Sequence, residues 1–345
     1  MKIVVVLFNL GGPDSLEVVE PFLTNLFSDP AILPVPRTLR VPLARLIAKR
    51  RGPIARDIYA KIGGHSPILE ETQKQASALE AALSACGHEA KAVIVMRAWR
   101  PFASEAVEQV RHWSPDRIVL LPLYPQFSTT TTGSSLGDWI QTAESGAPTA
   151  PQLRICCYPW LDGFIAAEVA LISKALEQRM AGVDYRLLLS AHSLPKRVIS
   201  RGDPYRWQVE KTAQAIADRL GTIGLDWQLC YQSRVGPLEW IGPATDVEIR
   251  RAGADHKGIV VAPIAFLCEH SETLVELDIE YAKLAREAGV LHYVRVPTVG
   301  THPSFIAGLA EMVLRAIGQD QPVTCGHGRI CPAELAGCGY EGPHV

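Results

Sequence analysis

The sequence has no apolar run that reaches the roughly 18 residues a transmembrane helix requires. Neither sign of charge is in excess: 34 Lys and Arg stand against 36 Asp and Glu, a net charge of −2. That balance removes the electrostatic case for a nucleic-acid partner. Charged residues are 20% and apolar residues 48%, which excludes general disorder. No small-residue cleavage site follows the N-terminus. One Lys precedes a short apolar run ending at Asn9, which reads as a first strand and not as a signal peptide. The expected location is the cytoplasm. Eight cysteines in such a chain imply thiols, metal or a cofactor and not a disulfide framework. A length of 345 residues exceeds one typical core, so two domains are expected.

Two sets of four strand-like runs are present. The first covers residues 3–8, 92–96, 117–123 and 153–158; the second covers 185–190, 227–231, 258–266 and 291–296. Each is short, rich in Val, Ile or Leu, and nearly continuous, as strands buried on both faces of a parallel sheet are. Helical periodicity lies between them, for example over residues 66–85. The halves echo each other, LFNLGGP against LLLSAHSLP and LLPLYPQFST against VVAPIAFLCEH. The predicted fold is α/β: two similar Rossmann-like lobes, each with a four-stranded parallel sheet flanked by helices. The lobes are expected over 1–158 and 159–317. Residues 318–345 read as a Cys-containing extension held by something other than a core. In this architecture ligands sit beyond the carboxyl ends of the strands.

The unusual polar residues fall at those ends. His192 follows a buried strand, where a partly desolvated neutral imidazole can take a proton. Glu272, Glu276 and Glu280 are four apart, so on a helix they form one ridge. A solvated face is the ordinary reading of such a pattern. The flanking apolar residues and the strand end instead suggest a row that passes a divalent cation or protons inward, with Glu269 and His270 at its mouth. Residues 30–56 carry Arg37, Arg40, Arg45, Lys49, Arg50, Arg51 and Arg56 with no acid among them. The apolar residues between them suit an anionic membrane interface or an anionic apolar ligand. In the tail, Cys325, Cys331 and Cys338 suggest a metal centre. An iron–sulfur cluster needs a fourth ligand, for which Cys156 and Cys157 are candidates. On a strand those two point to opposite faces, so at most one can serve.

Seven motifs occur in order: NLGGP (9–13), IAKRRGP (47–53), YAKIGGHSPI (59–68), LYPQFSTTTTGSS (123–135), SAHSLP (190–195), YQSRVGPLEWIGP (231–243) and APIAFLCEHSETLVELDIEY (262–281). Together they resemble ferrochelatase. The resemblance implies insertion of Fe2+ into protoporphyrin IX, the terminal step of haem biosynthesis, by ring distortion and pyrrole deprotonation in a cleft between two lobes. It implies His192 and Glu272 as the catalytic pair, and His192, Glu272, Glu276, Glu280 and His270 as metal contacts. Arg51, Tyr59, Ser66, Arg97, Tyr124, Trp240 and Phe266 match porphyrin-facing positions. Residues 30–56 match the pocket lip that faces the membrane in membrane-associated members. Some members carry a [2Fe–2S] cluster on a C-terminal extension. Here Thr129 stands where the mitochondrial pattern has a ligand, so Cys157, with Cys156 behind it, joins Cys325, Cys331 and Cys338. His65 and Leu10 are smaller departures. A coproporphyrin ferrochelatase, a cobalt chelatase, and a non-catalytic haem or metal carrier are the alternatives. The homodimeric state stays open.

Overall fold

The continuous apolar runs become the strands of two sheets. The computed structural model describes residues 1–144, 150–221, 225–319 and 321–341. Among these, the strands are β1 (Lys2–Asn9), β2 (Glu89–Met96), β3 (Arg117–Pro122), β4 (Gln152–Cys157), β5 (Tyr185–His192), β6 (Asp226–Gln232), β7 (Gly258–Pro263), β8 (Tyr293–Arg295) and β9 (Val323–Thr324). The chain divides into two compact units. One comprises Met1–Cys157, Leu309–Ile330 and the described residues from Gly337 on; the other comprises Tyr158–Gly308 and Cys331–Ala336.

The first unit holds a sheet of order β2-β1-β3-β4-β9, parallel throughout. All of β1 after Lys2 is buried, because helices cover both faces. Alternate residues Val4, Val6 and Phe8 join Val93, Val95, Ile118 and Leu120 on one face. Against them pack Val107 and Val110 of the helix Ala103–Trp113 and Trp139 of the helix Ser134–Glu144. Phe8 meets the Trp139 ring edge-on at 5.9 Å. Burying each such side chain contributes about 1.5–3 kcal/mol.

The second unit repeats the pattern with order β6-β5-β7-β8, again parallel. Leu188, Cys230, Ile259 and Val261 form one face with Ile249, Ala252, Leu277 and Ala285. In both sheets the first strand lies inside, flanked by the second and third. The direction in which successive strands are added across the sheet therefore reverses between β1 and β3, and between β5 and β7. Such switch points leave a crevice at the strand carboxyl ends where ligands bind.

Three expectations change. The run 258–266 leaves the sheet at Pro263, so Phe266 lies in a loop. The first sheet has five strands, because Val323–Thr324 of the tail adds to the β4 edge, with Ile155 opposite Val323 and Cys157 opposite Thr324. The tail is thus held partly by a core: Ile330 and Tyr340 pack on Phe127, Cys156 and Cys157. An added strand satisfies backbone groups that an open edge would leave to water. Residues 320 and 342–345 of the extension lie outside the described residues.

Candidate active site

His192 is the last residue of β5, and its ring is held by its own chain. Nδ1 lies 2.6 Å from the carbonyl oxygen of Ser193. A carbonyl only accepts, so Nδ1 carries the proton, and in the neutral ring Nε2 holds the free lone pair. Nε2 lies 3.6 Å from Oε1 of Glu272. The strand end is itself fixed, since Tyr205 Oη donates to the His192 carbonyl at 2.9 Å. Ser193 N donates to the Gln232 carbonyl at 2.8 Å.

Beyond β7, the loop carries Phe266 and His270. The Phe266 ring stands edge-on to His192 at 6.3 Å and to His270 at 4.5 Å. His270 is buried, and its Nδ1 lies 2.9 Å from Oε2 of Glu272. The Glu272 backbone N–H donates to the same Nδ1 at 3.0 Å, so one ring nitrogen meets both the backbone and the carboxylate of Glu272. Glu272 thus bridges two imidazoles. Burial pushes its carboxyl up, but the charge and hydrogen bond of His270 and the charge of His192 outweigh that and hold it down at about 2. The site therefore presents a carboxylate at neutral pH beside Nε2 of His192.

Glu272 opens a π-helix, Glu272–Tyr281, where the spacing predicts an α-helix. This wider coil is uncommon and recurs at functional sites. The carboxylate row is consequently not uniform. Glu276 accepts from Ser233 N at 2.8 Å, Gln232 Nε2 at 3.0 Å and Tyr281 Oη at 2.9 Å, and also from Ser233 Oγ. Glu280 is exposed. Gln232 Nε2 also donates to the Glu272 carbonyl at 2.9 Å, tying the helix start to the end of β6. Trp240 is half-buried. Its neighbour Ile241 donates its backbone N–H to the Leu194 carbonyl at 3.0 Å. Among the described residues no group of three or more His, Cys, Asp or Glu side chains is gathered so as to hold a metal ion.

The first unit places its candidates at the ends of β1, β2 and β3. The chain turns at Gly11, where φ is +84°. A Cβ on Gly12 would lie 2.5 Å from Ser66 Oγ, so only glycine admits that approach. Ser66 is buried, with its N–H donating to the Pro13 carbonyl at 2.8 Å. Tyr59 is buried in an apolar cluster with Phe22, Leu23 and Ala98. Arg97 is engaged by Asp29 at 3.1 Å, Ser134 Oγ at 2.7 Å and Asp138 at 3.8 Å. Tyr124 is half-buried just after β3. Arg51 differs. Burial lowers its pKa. Its guanidinium rests 6.0 Å from the Phe27 ring centre, and no carboxylate among the described residues pairs with it. A desolvated cation without a counter-ion suits an anionic ligand group.

Sequence reasoning missed Tyr205, Gln232, Ser233 and Tyr281. Gln232 and Ser233 lie inside a motif already singled out; Tyr205 has no local signal. In the tail, Cys325 N donates to the Cys157 carbonyl at 3.2 Å. Cys331 accepts from Gln208 Nε2 at 3.1 Å, and Cys338 is buried. The absence of a gathered ligand set applies to these thiols as well.

Two parallel α/β sheets with polar residues at their switch points define a chelatase-type fold. A solved structure of SirB from Bacillus subtilis with Fe3+ is similar at a TM-score of 0.53 and 13% identity, covering 92% of this chain and 96% of that one. The sirohydrochlorin chelatase SirB from Bacillus subtilis subspecies spizizenii, in complex with cobalt, gives 0.52 at 13% identity, with 92% and 95% covered. At such identity the likeness shows the fold alone. Sequence is more specific. The ferrochelatase family model matches residues 2–317. Ferrochelatase of Caulobacter vibrioides is 52% identical over 340 residues, 98% of this chain and 97% of the relative. That of Phenylobacterium zucineum is 52% identical over 340 residues, 98% of each. The chain belongs to the ferrochelatase family: it is a metal chelatase that inserts iron into a porphyrin. The cobalt-chelatase and carrier alternatives are not favoured.

Proposed function

We propose that the chain inserts Fe2+ into protoporphyrin IX, with His192 as the base that accepts a pyrrole proton through Nε2. The observation that carries this reading is the bond from His192 Nδ1 to the Ser193 carbonyl, which turns the other ring nitrogen, Nε2, toward Glu272 and makes it the lone-pair nitrogen of the neutral ring. A porphyrin holds two inner protons that must leave as the metal enters. A neutral imidazole is matched to that task near neutral pH. The Glu272 carboxylate, 3.6 Å away, stabilises the imidazolium that forms and offers the incoming ion an oxygen ligand. His270 sets the orientation of that carboxylate. Glu276 and Glu280 extend the acidic approach for the ion. Binding energy from the ring edges bends the centre toward the transition state. Arg51 takes a propionate; Tyr59, Ser66, Arg97, Tyr124, Trp240 and Phe266 shape the porphyrin surroundings.

The helix Arg37–Ala60 forms a membrane-facing lip on the cytoplasmic side. Its support is the exposure of Leu39 (64%), Leu46 (46%) and Ile54 (63%) among exposed Arg45, Lys49 and Arg50. Such a lip favours the more apolar protoporphyrin over coproporphyrin. Among the described residues no helix is long and apolar enough to cross a membrane. A [2Fe–2S] cluster on Cys157, Cys325, Cys331 and Cys338 rests on the family resemblance alone, since among the described residues these thiols are not gathered into a ligand set. No step of the reaction runs through it, and acid-labile sulfide in the anaerobically purified chain tests it.

The decisive experiment is anaerobic turnover of protoporphyrin with Fe2+, followed by porphyrin fluorescence. His192→Ala and Glu272→Ala should each lose turnover and keep porphyrin binding. Turnover retained by His192→Ala would remove that residue from the mechanism.

A further inference from the structure

Two carboxylates of the site segment, Glu269 and Asp278, are engaged by one arginine. Glu269 directly precedes His270, and Asp278 lies in the same π-helix as Glu272. Both meet Arg295, the last residue of β8. The guanidinium donates through Nε to one oxygen of Asp278 and through Nη2 to the other, each at 2.7 Å. Its Nη1 donates to Oε1 of Glu269 at 2.6 Å. The same oxygen accepts from Thr298 N at 3.0 Å. The side chains of Arg295 and Glu269 keep 15% and 21% of their exposure, so this is not a loose surface pair. The planar fork of arginine is the geometry that makes a bidentate contact and a third bond at once.

The placement matters because the His270–Glu272 contact is closed within one turn, Thr273 N and Leu274 N donating to the His270 carbonyl at 3.1 and 2.9 Å, so Arg295 bears on where that turn stands and not on the pair itself. His270 belongs to the loop after β7, and Glu272 begins the π-helix. A π-helix is seldom stable by itself. Rewinding it toward α-helical bonding would rotate its start against its end and carry the His270–Glu272 turn away from His192 on β5. Tyr293, also on β8, holds a carbonyl of the same coil: its Oη donates to Leu277 O at 2.8 Å. Arg295 joins that coil to the loop.

We propose that Arg295, through Asp278 and Glu269, is a positioning residue that holds the π-helix and the His270 loop in register, and that iron insertion depends on it. The proposal rests on the assignment of His270 and Glu272 to the site. The test uses Arg295→Lys, which keeps the charge and loses the fork, and the near-isosteric Asp278→Asn, both in the full chain. In each, kcat should fall about ten- to a hundred-fold, the usual effect of removing an outer-layer partner. The porphyrin KM should stay within about twofold, because no substrate contact is removed. In nitrogen NMR spectra the His192 ring signals should shift away from those of the parent. A lowered Tm with parental kcat and parental His192 signals would leave Arg295 a structural residue and overturn the proposal. If the parent itself shows no turnover, the assigned reaction fails separately, and the His192 spectrum still decides the staple.

Discussion

Replacing Glu168 by Gln should flatten the pH dependence of stability between about pH 4.5 and 8. Glu168 lies in the helix Asp162–Leu176 and is 1% exposed, and among the described residues neither carboxyl oxygen has a hydrogen-bond partner. Burial pushes its pKa up from 4.5 to about 8. The sign follows from proton counts. Between those values the unfolded chain has released the proton and the folded chain still holds it, so raising the pH favours unfolding. Each pH unit in that window costs about 1.4 kcal/mol, which reaches about 5 kcal/mol once both states are ionised. A glutamine at the same place has no proton to lose. Its buried amide changes stability by an offset that does not vary with pH, so the slope is the informative quantity. Urea unfolding of parent and Glu168→Gln at pH 5, 7 and 9 measures it. The parent should lose stability relative to the variant across the series. Parallel profiles would refute the reasoning and show that Glu168 finds a partner or water in solution.

Gly12→Ala should lower Tm by the equivalent of about 1–3 kcal/mol, because the new methyl meets Ser66 at 2.5 Å. The pair Gly12→Ala with Ser66→Gly should recover much of that loss; no recovery would mean the strain arises elsewhere. For the lip, Lys49→Glu with Arg50→Glu should weaken sedimentation with anionic vesicles, and more so at low salt. Unchanged vesicle binding would remove the electrostatic part of that reading.

The central strands were legible because burial on both faces demands continuous apolar residues, and β1, β5 and β7 are buried almost end to end. The position of His192 at a strand end was legible for the same reason. The edges were harder. β9 is two residues within a Gly- and Cys-rich stretch, and nothing local marks it. It exists because β4 offers an edge to pair with. The helix type after β7 was also hidden. Residues four apart stay close on either coil, so the Glu272, Glu276 and Glu280 spacing does not separate α from π.

The three glutamates of that row are identical letters at equal spacing, yet one bridges two histidines, one is held by Gln232, Ser233 and Tyr281, and one is exposed. Their difference comes from partners on other elements. Glu272 meets His192 across 80 positions because β5 and β7 are neighbours in the sheet. Arg295 reaches Asp278 across 17 positions and Glu269 across 26. By itself, the sequence determined which segments are buried, the duplicated α/β plan and the residue types available at the strand ends, since these follow from local composition and periodicity. Tertiary structure alone decided the tautomer of His192, the ionisation of Glu272 and the division of labour among the carboxylates. Each of these depends on short-range hydrogen bonds and charges that act only between groups the fold has brought within a few ångströms.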